Sequence, residues 1–198
     1  MEAMRILMDE HQSLAAIIHA IRHMIKEIGA GKLQPDFRLL QAMVHYLDAY
    51  PEKRHHPKED KYLFGPLRAR THAADAVLAR LEAEHGQAEA RIKLLEQALR
   101  HYADGHPDGL AGFTRAFDDY AAFYRNHILL EEREILPLLR QHFTPEDWAN
   151  ADAGFATLHD PMTGTRSSGS DEDFGRIFSK LVECAPAPIG LGPKPYQP

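Results

Sequence analysis

The sequence predicts an all-α protein: an up-down four-helix bundle with a short fifth helix and an extended C-terminal arm. Three features of the chain point there. Apolar residues recur every three or four positions through four long runs, the spacing that lines one face of an α-helix. Short turn-forming stretches separate the runs, so successive helices fold back and pack side by side. A polar pattern also occurs twice: His55 to Glu59 runs into Asp60 and Leu63-Phe64, and His127 to Glu131 runs into Glu132 and Ile135-Leu136.

The first helix follows Met4, Leu7, His11, Leu14, Ile18, Ile21, Ile25 and Ile28 until Gly29-Ala30-Gly31 ends it. The second is expected to start at Pro35-Asp36, a proline in the first turn and an acid at the positive helix end. Its seam runs through Phe37, Leu40, Val44 and Leu47 to His55, Glu59, Tyr62 and Leu63. Pro51 and Pro57 each remove a backbone donor, so a kink or restart is expected beside the polar residues, with Gly65-Pro66 as the stop.

The third helix has the cleanest register, from Ala74 through Leu78, Leu81, His85, Ala88, Ile92, Leu95 and Leu99 to Tyr102. After the turn Asp104 to Gly109, the fourth puts Phe113, Phe117, Tyr120, Tyr124, His127 and Glu131 on one stripe. Thr144-Pro145-Glu146-Asp147 reads as the capped start of the fifth helix, which packs Trp148 and Phe155 on the bundle end. Domain boundaries follow: residues 1–143 form the bundle, 144–160 the short helix and 161–198 a Gly/Ser/Pro-rich tail. That tail holds one amphipathic segment, Phe174 to Val182, long enough for a helical turn or two.

With 198 residues, 44% of them hydrophobic, the chain can bury a real core. A net charge of -6 offers no basic stripe for a phosphate backbone, which argues against nucleic acid as a partner. A single cysteine, Cys184, excludes an intrachain disulfide framework and a thiolate zinc site. No apolar stretch is long enough for a membrane span, and Met1-Glu2-Ala3-Met4-Arg5 lacks a signal-peptide layout, so a cytoplasmic protein is expected.

Thirteen histidines are the compositional anomaly. His11, His85 and His127 each sit in the seam of a different helix, and His55 lies close to the seam of the remaining one. Glu59 and Glu131 add carboxylates to the same interior. On a helix, positions i and i+4 lie one above the other, so each His-to-Glu pair presents an imidazole and a carboxylate to one point. A lone buried histidine is ordinarily satisfied by a carbonyl or hydroxyl. Several together with two buried carboxylates require a cation, because unpaired carboxylates cost several kcal/mol each in a core. The other histidines fall off the seams or in loops. Glu10 and Glu84, beside seam histidines, are candidates to orient a ligand ring, and Glu82 is a candidate extra ligand through its Glu-x-x-His spacing.

From Met4 to about Trp148 the chain resembles the hemerythrin-like, HHE cation-binding domains. The resemblance rests on Asp9-Glu10-His11, the His55-to-Glu59 block, Glu84-His85, and the His127-to-Glu131 block running into Ile135-Leu136-Pro137. It implies a four-helix bundle holding two iron ions joined by an oxo or hydroxo bridge, with both glutamates bridging. The ligands it implies are His11, His55, Glu59, His85, His127 and Glu131. His56 competes for the place of His55, and Asp60 and Glu132 are secondary candidates behind the set.

Oxygen-carrying hemerythrins have a second histidine where this chain has Leu81, and a longer His-to-Asp spacing on the last helix. The departures argue for open coordination positions rather than simple reversible oxygen carriage. Mixed imidazole and carboxylate donors suit iron, and manganese or zinc as well. The expected function is to bind or sense oxygen, reactive oxygen species or nitric oxide, or to buffer iron, with dioxygen or nitric oxide as the small ligand. An iron enzyme acting on oxygen, peroxide or nitric oxide or repairing iron-sulfur clusters, and a bundle with a purely structural cation, are the rival readings. A homodimer is among the expected assemblies, with the arm free to wrap a neighbour.

Overall fold

The computed structural model describes residues 1–157, 160–165 and 171–184, and helix is the only regular structure among them. Helix α1 spans Glu2–Gly29. Its buried stripe runs through Leu7, His11, Leu14, Ile17, Ile21 and Met24, while Ile18, Ile25 and Ile28 of the expected seam flank it half-buried. Gly31 ends the run with φ +70°, a left-handed conformation natural to glycine, and its N–H donates to the Ile28 carbonyl at 2.9 Å.

The second column begins where Asp36 accepts the Leu39 N–H at 3.0 Å and continues helically to Arg70. It comprises α2 (Phe37–Leu47), a π-helical segment (Asp48–His55), α3 (His56–Glu59), a second π segment (Asp60–Phe64) and α4 (Gly65–Arg70). A third π segment, Glu131–Ile135, separates α6 (Gly109–Leu130) from α7 (Leu136–His142). Helix α5 (Asp75–Ala103) is uninterrupted.

Each π segment ends just before a residue-proline pair: His56-Pro57, Gly65-Pro66 and Leu136-Pro137. The residue preceding each proline bonds five positions back, His56 to Pro51, Gly65 to Asp60 and Leu136 to Glu131. A proline has no N–H to give the ladder, so the turn before it can widen by one residue at little cost. Widening turns the following residues by about a third of a turn. Pro57 therefore produces the irregularity expected beside His55. Gly65-Pro66, expected as a stop, instead opens α4, with Pro66 in the first turn where its missing donor is harmless.

Helix α8 (Pro145–Phe155) starts with the reciprocal Thr144–Asp147 capping box and buries Phe155 against the bundle. Gly154 lies so close to Tyr62 that a Cβ there would sit 2.6 Å from the ring. The amphipathic segment of the tail is longer than a turn or two: α9 spans Asp171–Cys184 and seats Ile177 and Leu181 against α1 and α2. Before it, Met162 is fully buried, and its carbonyl accepts the Ser13 hydroxyl at 2.8 Å. The Pro-rich end of the tail and residues 166–170 lie outside the described residues.

Helix α5 packs along α6 and α2, and α1 packs against α6 and α8. Two apolar clusters result. One gathers Leu14, Ile21, Leu40, Val44, Ile92, Phe117 and Tyr124; the other gathers Leu7, Leu63, Phe64, Leu81, Ile135 and Phe155. Along every column the polar residues fall at the junction of the two: His11 between Leu7 and Leu14, His85 between Leu81 and Ile92, His127 and Glu131 between Tyr124 and Ile135.

Candidate metal centre

Five imidazoles and two carboxylates meet in that junction. They form two groups of possible ligand atoms: His11, His55, Glu59 and Glu131 in one, His56, Glu59, His85 and His127 in the other. Glu59 belongs to both. His55, His56, Glu59 and Glu131 all flank the π segments, whose extra residue turns His55 and His56 toward different groups while keeping Glu59 between them. All but His85 are buried, and the half-buried His85 has its side chain only 7% exposed.

The inner distances are asymmetric in a useful way. Glu59 Oε1 lies 3.3 Å from His55 Nε2 and 3.9 Å from His11 Nε2, while its Oε2 lies 3.6 Å from His85 Nε2. Glu131 Oε2 lies 3.3 Å from His11 Nε2, while its Oε1 lies 3.1 Å from His127 Nε2. Each glutamate thus turns one oxygen to each group, as a bridging carboxylate does.

Every histidine has a carboxylate on its outer nitrogen. Nδ1 of His11 meets Glu132 at 3.1 Å, that of His55 Glu10 at 2.8 Å, that of His56 Glu52 at 3.3 Å, that of His85 Asp60 at 3.0 Å and that of His127 Glu84 at 2.9 Å. A carboxylate at Nδ1 selects the tautomer with the proton there and leaves the Nε2 lone pair facing inward. Asp60 and Glu132, outside the expected ligand set, hold rings in place. Glu10 and Glu84 do so across the bundle, for His55 and His127 rather than for their chain neighbours.

Several of the inward-facing atoms have no hydrogen-bond partner of their own. Nε2 of His11, Oε2 of Glu59 and both oxygens of Glu131 are buried without a hydrogen bond. Nε2 of His85 and of His127 lie 3.1 Å apart. Lone pairs facing one another in an apolar core are costly unless a cation or a proton lies between them. The donor set of imidazoles and carboxylates fits a pair of transition-metal ions.

Electrostatics agree with that fit. Burial alone would depress His11, but Glu131, Glu132 and Glu59 override it and hold the ring well above its ordinary range. The same contest, with Glu131, Glu59 and Glu84 opposing burial, raises His127 to about 9. Glu131, whose burial would raise it, is held well below the usual carboxylate range by His127 and His11. Burial pushes His56 down to about 3. Lys58, 4% exposed, pairs with Glu10 beneath His55 and lies 4.9 Å from the Phe155 ring centre.

His55 and His56, read from sequence as alternatives, both join, one in each group, so the centre has five histidines and not four. The fifth comes from α3, while Leu81 stays in the apolar cluster. Glu82 is drawn away from the centre by Arg68 at 2.9 Å. Glu52 and Tyr124 were not anticipated: the Tyr124 hydroxyl donates to Glu52 at 2.7 Å and lies 3.2 Å from His56 Nε2. The signal for Glu52 was present, since it precedes His56 by four residues and so shares its helix face.

Residues 2–139, which contain every residue of both groups, match the model of one family, described as the Hemerythrin HHE cation binding domain. No curated protein and no solved structure matches the chain.

Proposed function

The chain belongs to the hemerythrin HHE cation-binding family, and on that premise we propose that it is a dinuclear non-haem iron protein that binds or senses dioxygen, reactive oxygen species or nitric oxide. One observation carries the reading: two donor groups share Glu59, with buried lone pairs converging on each. In this reading the columns form an up-down four-helix bundle, residues 1–143, closed by α8 and carrying the tail as an appendage.

His11 and His55 would hold one ion, and His56, His85 and His127 the other, with Glu59 and Glu131 between them. Two irons so held supply adjacent redox-active Lewis acids, with room for a diatomic ligand on the one bearing fewer imidazoles. The outer carboxylates fix each ring and strengthen its donor nitrogen. The two apolar clusters keep bulk water from the centre. A groove between α1 and α6, lined by Ile18, Ile128 and Leu129, leads to His11 of the two-histidine group and to Glu132, which holds its ring. Such a route favours a ligand-binding centre over a closed structural cation.

Elemental analysis of protein purified without a metal-binding tag tests the premise, with two irons per chain expected. Anaerobic titration of the ferrous protein with nitric oxide, followed by visible and electron paramagnetic resonance spectra, then tests ligand binding. One zinc ion, or no metal, would overturn the dinuclear reading, and two irons indifferent to nitric oxide and oxygen would overturn the sensing role.

A further inference from the structure

We propose that Tyr124 is itself a ligand of the three-histidine metal, its phenol oxygen coordinating as phenolate with Glu52 taking the proton. The inference rests on the dinuclear reading above and adds a donor to it.

The argument starts from the hydrogens. Glu52 is nearly buried, with its side chain 6% exposed, and its two oxygens face two different donors. Oε2 lies 3.3 Å from His56 Nδ1 and Oε1 lies 2.7 Å from the Tyr124 hydroxyl, with Tyr120 more distant at 3.4 Å. A carboxylate is an acceptor only, so it draws the imidazole proton to Nδ1 and the phenol proton to itself. What remains between the two rings is a nitrogen lone pair and an oxygen lone pair, 3.2 Å apart and buried. Two acceptors have no reason to face one another there unless they share something positive.

The separation suits a shared metal. Donor atoms about 2.1 Å from one ion and at right angles around it lie about 3 Å apart. His85 Nε2 and His127 Nε2, both in the same group, are separated by 3.1 Å, an edge of the same length. Tyr124 also stands one helical turn before His127, which places it on the same face of α6. Its ring lies at 16° to that of His56, with centroids 5.8 Å apart, so both enter the junction side by side.

Coordination balances without an external acid or base. The Tyr124 O–H bond breaks, its proton passes to Glu52 Oε1 along the existing hydrogen bond, and the oxygen pair binds the metal. No electron changes hands. A phenolate there offsets positive charge at the three-histidine ion and fills its coordination, which leaves the two-histidine ion as the place for an exogenous ligand.

Ferric iron alone is the probe, added to the full-length chain and followed by visible absorption alongside iron stoichiometry. A phenolate-to-iron(III) charge-transfer band is expected in the unmodified protein and in Tyr120→Phe. Its loss is expected in Tyr124→Phe with the iron content unchanged. Two bound irons without the band, or a band that survives in Tyr124→Phe, would overturn the proposal and leave the dinuclear reading standing. No bound iron would remove both. Should Tyr124→Phe fail to fold, Glu52→Gln decides instead: deprived of the proton acceptor, the band must weaken at neutral pH, and an unchanged band refutes the role of Glu52. Resonance Raman spectra of the unmodified chain, excited in the band, must show tyrosinate ring modes.

Discussion

Glu59 and Lys58 adjoin in sequence and face opposite tasks. Glu59 turns one oxygen to each donor group, so Glu59→Ala is expected to cost both metals, whereas His55→Ala should spare the three-histidine group. Metal content per chain separates the two outcomes. Lys58 stands outside both groups but neutralises Glu10, which in turn holds His55. Lys58→Met should leave Glu10 Oε1 buried without its cation, with only His55 on the other oxygen, and destabilise the fold by about 3–5 kcal/mol in denaturant melts, since breaking one side of a buried pair exposes the desolvation cost of the other. A loss below about 1 kcal/mol, the range of an exposed pair, would mean that water reaches Glu10.

At the scale of elements, the three widened turns and the capped start of α8 do the positioning. Pro137→Ala returns an N–H to the ladder at the end of the Glu131–Ile135 segment. That turn can then relax to α-helix and swing Glu131 away from the centre. Metal affinity is expected to fall by about tenfold, the scale of a lost supporting contact, with metal-free stability undiminished; unchanged affinity would show that packing alone holds the widened turn. Thr144→Ala should cost about 1 kcal/mol through the lost cap. Asp147, beside the Arg70 guanidinium and the Thr144 N–H, is held down at about 2. Its folded value lies below the ordinary 3.8, so its stabilising share is present above that value and is lost as pH falls through about 2. Acid unfolding followed by circular dichroism should show that share disappear in Asp147→Asn.

The whole molecule is linked to protons and metal together. In the metal-free chain His127 is raised to about 9, so its share of stability is fully present below 6.5 and is lost as pH rises through about 9. Metal must displace that proton and the one held on His11, so apparent affinity should climb as pH rises through about 9, where His127 loses its proton, and binding in weak buffer should release protons. Isothermal titration in two buffers of different ionisation enthalpy measures the release; none would mean neutral rings before binding. Chelation should lower the melting temperature, because metal that binds only the folded chain stabilises it by about 2.7 kcal/mol at a hundredfold excess over its dissociation constant.

Sequence alone pointed to an all-helical chain, to its apolar seams and to His11, Glu59, His85, His127, Glu131 and one of His55 and His56 as side chains that meet in its interior, and the structure brings these together. Periodicity is local, and a polar residue inside an apolar stripe announces itself wherever the helix goes. The place of His56 was beyond it: on a regular helix adjacent residues point about 100° apart, so one of His55 and His56 had to be excluded. Only the widened turn, set by bonds that skip around Pro57, admits both. Likewise the pairing of Glu10 with His55, of Glu84 with His127 and of Glu52 with Tyr124 joins residues far apart in the chain. Such contacts depend on how the columns are rotated and staggered against one another, which tertiary packing decides and no spacing along one helix records.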